Sequence, residues 1–272
     1  MPGRHHFALP CCRGPLAALV LALTLALGLA PGPAVPAAAT ALPLPEHTAR
    51  YAVFRKGSEV GYLDIGLTRH QDGGYHYTAD TTATTVLLRV LGLALGEQGR
   101  FRWTAGMIRP LDYEQLVRRP GRNKYWQARF DWEALRARGD SHRGAIDVAL
   151  PAGALDPLTV RLQLAVRLGA ARLAEDGDPA PEYRFHVLER DEVEVQTFVG
   201  RGREHVPYGD GCLPAVRMER LRDGEGRGDF SWHAEAFHWM PVRILQLRDG
   251  EQKMDLRLRD TSLPLDPGPC PP

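Results

Sequence analysis

Residues 125–132, Tyr125-Trp126-Gln127-Ala128-Arg129-Phe130-Asp131-Trp132, decide the fold class. Trp126, Ala128, Phe130 and Trp132 alternate with Tyr125, Gln127, Arg129 and Asp131, a period of two that gives a strand one apolar and one wet face. The same period runs outward in both directions. Toward the N-terminus it recurs as Leu63/Ile65/Leu67 and Tyr75/Tyr77/Ala79. Toward the C-terminus it recurs as Tyr183/Phe185/Val187, Val193/Val195/Thr197/Val199, Val216/Met218, Phe230/Trp232/Ala234 and Met254/Leu256/Leu258. Strict alternation marks antiparallel sheet. Between the runs stand turn signals: Lys56-Gly57, Asp72-Gly73-Gly74, Pro120-Gly121, Gly139-Asp140, Asp223-Gly224 and Asp249-Gly250. They join neighbouring strands as hairpins. The expected fold is mainly β, a single large curved antiparallel sheet or half-open, spiral-like barrel with one or two helices packed in or over its concave face.

Two segments break the period. Asp156-Pro157 ahead of residues 158–169 supplies an N-cap and a proline at the first helical position, with Gly169 near the end. Thr159, Gln163 and Arg167 form the polar stripe of this helix; Leu158, Leu162, Ala165 and Val166 face the other way, toward the sheet. The second segment, 86–95, carries Arg89 as its one charge. It reads as a core plug or as a lid over a hydrophobic ligand, since an exposed apolar patch of that size is costly. Residues 174–181 read as an exposed linker.

The first forty residues look like an address. A basic start (Arg4, His5, His6, Arg13) precedes the uncharged run 16–30, and a small-residue stretch ends in Ala37-Ala38-Ala39-Thr40-Ala41. These are the parts of a secretory signal peptide, and the run is short of the ~20 residues a membrane span needs. We expect residues 1–41 to be removed after Ala39 or Ala41 on the general secretory route. That leaves a β-rich domain at 42–263 and a proline-rich tail at 264–272, in the periplasm. Two of the four cysteines would remain, Cys212 and Cys270. In an oxidising compartment an even pair reads as a disulfide; two free thiols or an intermolecular bridge are the alternatives.

The whole chain has 272 residues, 44% hydrophobic and 25% charged, with a formal net charge of +1. That balance supports a packed core and argues against nucleic acid as a partner, because binding a polyanion needs a surplus of cations. Enzyme signatures are missing. Ser58, Ser141, Ser231 and Ser262 lie in no nucleophile elbow, and there is no His-Glu-x-x-His, no phosphate-cradling Gly-rich loop and no Cys-x-x-Cys. No motif asks for a cofactor or a metal. The strongest polar constellation is His233-Ala234-Glu235 with His238, which could hold a zinc ion or pair as orienter and base. Alternation with Phe230, Trp232 and Ala234 puts His233 and Glu235 on the wet face instead. Gly200-Arg201-Gly202 reads as a hairpin turn, and Arg118-Arg119-Pro120-Gly121-Arg122-Asn123-Lys124 as a charged hairpin tip that protects strand edges.

A set of pieces in order adds a resemblance. Tyr51-Ala52-Val53-Phe54 with Gly57 and Gly61 opens it, followed by Gly99-Arg100-Phe101, Ile108-Arg109-Pro110 with Tyr113, and Phe130-Asp131-Trp132. Leu155-Asp156-Pro157-Leu158, Trp232-His233-Ala234, Pro241-Val242 and Asp249-Gly250 complete it. In this order the chain resembles the bacterial family called domain of unknown function 3108, over most of residues 49–263. The resemblance implies an exported β-rich protein and transfers no catalytic residue. More loosely, the fold looks like the lipoprotein-carrier half-barrels and β-spiral envelope proteins, which hold an acyl chain or a partner in a concave sheet. The expectation is a non-enzymatic periplasmic protein binding an apolar or lipid-like small molecule for envelope upkeep. Val86, Leu87, Val90 and Leu91 would act as lid, and Trp103, Trp126 and Trp132 would line the concave face. The alternatives are an interaction protein with a self-filled core that binds another envelope protein, or a hydrolase or metal enzyme built on His233, Glu235 and His238.

Overall fold

The computed structural model describes residues 41–84, 94–118, 121, 123–171, 181–222 and 226–271. Among them, fourteen strands form one antiparallel sheet. The first eight are β1 (His47–Arg55), β2 (Ser58–Arg69), β3 (Tyr75–Ala83), β4 (Ala94–Thr104), β5 (Met107–Arg118), β6 (Lys124–Asp131), β7 (Arg136–Ser141) and β8 (Gly144–Ala149). Helix α1 (Thr159–Ala170) follows, then β9 (Glu182–Glu189), β10 (Glu192–Tyr208), β11 (Gly211–Leu221), β12 (Arg227–Ala234), β13 (Pro241–Arg248) and β14 (Glu251–Thr261). The order across the sheet is β8 through β1, then β14 back through β9. Two meanders therefore meet at a central seam where β1 pairs β14, Ala52 opposite Arg257. The mainly β, single curved sheet expected from the sequence is what forms.

Curvature follows from where α1 sits. Val160, Leu162, Gln163, Leu164, Ala165, Val166 and Leu168 are all buried. A helix covered on so many sides must lie inside a concavity rather than on a flat sheet. It packs on both β5 and β9, which are far apart in the strand order. The chain from Ala149 to Leu155 spans the gap between the two sheet edges. There Leu155 takes and gives backbone hydrogen bonds across β9, N–H to His186 O and O from Leu188 N–H, both 2.8 Å. The β8 and β9 edges are not paired to each other, so the barrel stays open.

Of the turn signals, Lys56-Gly57, Asp72-Gly73-Gly74 and Asp249-Gly250 form turns, while Pro120 and Asp223-Gly224 lie outside the described residues. Lys56-Gly57 and Asp249-Gly250 adopt positive φ in two-residue hairpins (49° and 79°, 54° and 73°), the geometry whose twist matches the strands. Gly139-Asp140 does not turn; it lies within β7. A Cβ at Gly139 would stand 1.9 Å from the Gln127 carbonyl oxygen, so glycine is there for close strand approach. Gly200-Arg201-Gly202 is likewise a bulge inside β10, where the register to β11 jumps between Gly200 and Arg203. The run Val193/Val195/Thr197/Val199 is not the buried face of β10. Gln196 and Phe198 are buried instead, and Val195 is 58% exposed.

The convex face carries cross-strand ion pairs, among them Arg50–Asp64 and Arg136–Asp147 (2.6 Å each) and Arg100–Asp112. Around the seam it is covered more thoroughly: Asp255 is fully buried beneath Arg243 and Arg257, which lie over the rings of Trp232 and Phe54 at 4.8 and 4.6 Å. No helix among the described residues is long and apolar enough to cross a membrane.

Candidate functional site

One end of the concavity is filled by α1 and the other is a cleft of about 270 Å³. Its position follows from the chain before the helix. Asp156 Oδ1 accepts the N–H groups of Leu158 and Thr159, both at 2.8 Å, and its own carbonyl accepts Val160 N–H at 3.1 Å. Asp156 is thus the capping residue with Pro157 at the first helical position, although regular helix begins at Thr159. The cap points the first turn of α1 into the cleft, so that Pro157, Val160, Arg161 and Leu164 form its floor.

Trp126, Phe198, Ile244 and Leu256 supply apolar wall from both halves of the sheet, and Glu189, Arg190, Arg220, Arg222 and Asp229 form a charged rim. The rim lies where β9 turns into β10 and β11 ends. Arg222 pairs with Asp229, and Arg220 lies 3.7 Å from Glu194 and 4.0 Å from Glu189. Burial pulls the Arg220 guanidinium below its ordinary pKa and pushes Glu189 above its own.

Polar side chains also reach inside, Glu97, Gln115, Arg161, Ser231 and His233 among them. Glu97 is buried, and its Oε1 accepts Tyr113 O–H at 2.8 Å and Gln115 Nε2 at 2.6 Å. The Tyr113 ring lies 4.5 Å from Trp126, and burial with the neighbouring Glu97 charge keeps its hydroxyl protonated. Arg161 makes no hydrogen bond or ion pair among the described residues. Burial lowers its pKa, but Glu97 and the neighbouring charges outweigh this and hold it above the usual value. His233, 2% exposed, places Nδ1 2.6 Å from Trp239 O and Nε2 2.9 Å from Ser231 Oγ. A carbonyl only accepts, so the proton sits on Nδ1 and Nε2 accepts from the Ser231 hydroxyl. Burial drops the His233 pKa to about 4, leaving a neutral ring that is a weak base at neutral pH.

These positions correct part of the sequence reading. His233 faces the cleft, not solvent, while Trp232 is on the convex face, its Nε1–H on Glu204 Oε2 at 2.7 Å and Arg243 over its ring. Period two identifies two faces but cannot say which is inside when arginines cover the outer aromatics. Glu235 lies in an exposed 3-10 turn, and no group of three metal-holding side chains occurs among the described residues. The polar stripe of α1 is wet only at Arg167: Thr159 and Gln163 are fully buried, and Gln163 Oε1 accepts Ile108 N–H at 2.7 Å.

Of the three tryptophans, Trp126 lines the cleft. Trp132 lies outside it, with Nε1–H on Pro110 O at 2.6 Å and Arg109 over its ring at 5.1 Å, and Trp103 is half-buried near the β4–β5 turn. Val86, Leu87, Val90 and Leu91 lie outside the described residues, as do residues 1–40 and, in the basic hairpin tip, Arg119 and Arg122. Cys212 and Cys270 are bonded, Cα atoms 4.9 Å apart. The sequence reading missed Arg161 and Glu97. Arg161 was visible as a charge on the apolar side of α1, three residues after Leu158. Glu97 was visible by sharing the parity of Phe101 in β4.

No curated protein matches the chain. Among solved structures, the beta-barrel-like protein of domain of unknown function DUF1849 from Brucella abortus is similar at a TM-score of 0.50 and 12% identity. The match covers 81% of this chain and 98% of that one, and it supports the open, barrel-like sheet described above. Residues 48–257 match the family described as protein of unknown function (DUF3108), so the chain belongs to that family.

Proposed function

We propose that this protein is an exported, non-enzymatic binding protein whose cleft takes an apolar or lipid-like small molecule in the cell envelope. The observation that carries the reading is the cleft itself. It is walled by Trp126, Val160, Leu164, Phe198, Ile244 and Leu256, and its volume of about 270 Å³ is close to the lower end of small-molecule sites. A sheet held open by an enclosed helix leaves a space with apolar wall on one side and polar groups beside it, and the apolar wall favours hydrocarbon. The neutral His233, with a backbone carbonyl rather than a carboxylate behind it, supports binding over hydrolysis: burial outweighs the Trp239 carbonyl, and among the described residues no carboxylate backs the imidazolium a serine nucleophile requires. The disulfide and the N-terminal pattern support export.

Native mass spectrometry of the chain purified from an exporting host, before and after organic extraction, tests this. We expect a co-purifying lipid-sized mass, or a mass gained on adding lipid, that Ile244→Trp reduces by filling the cleft. An unladen chain that gains nothing from added lipid overturns the reading. The same spectra report export: the N-terminal residue should be Thr40 or Leu42.

A further inference from the structure

The cleft contains a cation that the described chain leaves uncommitted. Arg161 presents five N–H donors on the side of α1 that carries Val160 and Leu164. On the rim Arg222 is matched by Asp229 and Arg220 by Glu189 and Glu194, and Arg190 stands beside Glu189 without an ion pair among the described residues. Arg161 has no such match. Glu97 is near enough to favour its charge but does not close to an ion pair, and Glu97 Oε1 is already occupied by Tyr113 and Gln115. The Arg161 guanidinium is half-buried, open to the cleft, and has no protein acceptor at hydrogen-bond distance among the described residues. Its planar fork fits an oxyanion, and a desolvated charge-assisted pair is among the stronger contacts a site can offer.

Charge and wall together define the occupant. Apolar surface from Val160, Leu164, Ile244 and Leu256 lies in the same cleft as the Arg161 head. We propose that the cleft takes an amphipathic monoanion, with its hydrocarbon against these residues and a carboxylate or phosphodiester head on Arg161. This rests on the binding reading above and adds the ligand's charge. Glu97 and Glu189, whose carboxyl groups both act on Arg161, limit the head to a single negative charge, because a dianion would meet them across the guanidinium.

The test is calorimetric titration of the purified chain with four probes that share a twelve-carbon tail: dodecanoate, lauroyl lysophosphatidylglycerol, dodecanol and dodecyltrimethylammonium. We expect at least one anionic probe to bind ten times or more tighter than dodecanol, and the cationic probe weakest. The carboxylate and the phosphodiester are separated by which of the first two binds tighter. Arg161→Gln should remove the tenfold preference, read as the ratio of anionic-probe to dodecanol affinity within that variant. Arg161→Lys should keep part of it, since the charge stays and the fork is lost. Thermal melting checks both variants for folding, and the four-probe series on the unaltered chain is decisive by itself should either fail to fold. Equal affinity for dodecanoate, lysophosphatidylglycerol and dodecanol, a cation preference, or an Arg161→Gln chain that still prefers anions overturns the anion inference while leaving the cleft reading standing. No binding of any probe overturns the cleft reading itself.

Discussion

His233 and Asp156 are buried ionisable groups whose environments work in opposite directions on stability. Burial lowers the His233 pKa to about 4, so the unfolded chain takes up protons below about pH 6.5 that the folded chain refuses. Stability from this residue is full above pH 6.5 and falls as pH drops toward 4, by about 2 kcal/mol between pH 7 and 5. Asp156 does the reverse. Burial raises its carboxyl to about 6, against backbone N–H groups that pull it down. It favours the fold while protonated, and that contribution is lost as pH rises through 6. The two partly cancel in the unaltered chain, which is why the His233 effect is best read in an Asp156→Asn background. There, urea unfolding should weaken by about 2 kcal/mol from pH 7 to pH 5, and His233→Asn should remove most of that slope. Some slope remains, because burial also lowers His47. An unchanged slope in the double variant would show that the ring is protonated in the folded state and that the Ser231–His233–Trp239 arrangement is not as described.

At the scale of elements, α1 connects its sequence to the cleft through one side chain. Asp156 caps the helix with Oδ1, while Oδ2 is buried without a hydrogen-bond partner. Asn keeps the accepting oxygen and removes the charge; Ala removes both. Asp156→Asn should therefore melt above the unaltered chain at pH 8, with the gap closing toward pH 4. Asp156→Ala should fall below Asp156→Asn at every pH by about 1 kcal/mol, the usual worth of a cap. Coincident melting curves for the two variants would mean that the cap contributes nothing. This helix also marks how far the sequence could be read. Its existence and start were legible from Asp156-Pro157 and the apolar run, with packing on or inside the sheet left open. Strands such as β2, β3, β6, β9 and β12 were legible because period two is a local property, whereas β7 was not, since its Gly139-Asp140 reads as a turn. Which face was inside was not. Thr159 and Gln163 are buried because sheet surrounds the helix, and Trp232 faces outward because Arg243 and Glu204 cover it. Both depend on contacts between distant strands. Arg161 was overlooked for the same reason: a charge on an apolar stripe looks like a flaw until a cleft is placed over it.

At the scale of the whole molecule, the sheet is two meanders closed at one seam, with the C-terminal tail anchored separately. β14 is held on both sides, by β1 and β13. Beyond it, Leu263 and Leu265 are partly buried against the core, Cys212 N–H donates to Gly268 O at 2.9 Å, and the Cys212–Cys270 bond closes a loop with a sequence separation of 58. Closing a loop of that length restricts the unfolded chain by roughly 4 kcal/mol on a chain-entropy argument, which for a domain of this size corresponds to roughly 10 °C in melting temperature. The loop contains β11 through β14, half of the cleft wall, so the bridge acts on the unfolded state of that meander rather than on any single contact. Reduction, or Cys270→Ser with Cys212→Ser, should lower the melting temperature by about that amount. Circular dichroism at 25 °C should stay unchanged, because the strand pairing does not depend on the tail. Limited proteolysis should then cut after Thr261 in the reduced chain and not in the oxidised one. If the reduced and oxidised chains melt together and show the same cleavage, the tail is held by Leu263, Leu265 and the Gly268 bridge alone, and the disulfide has no part in stabilising the open barrel.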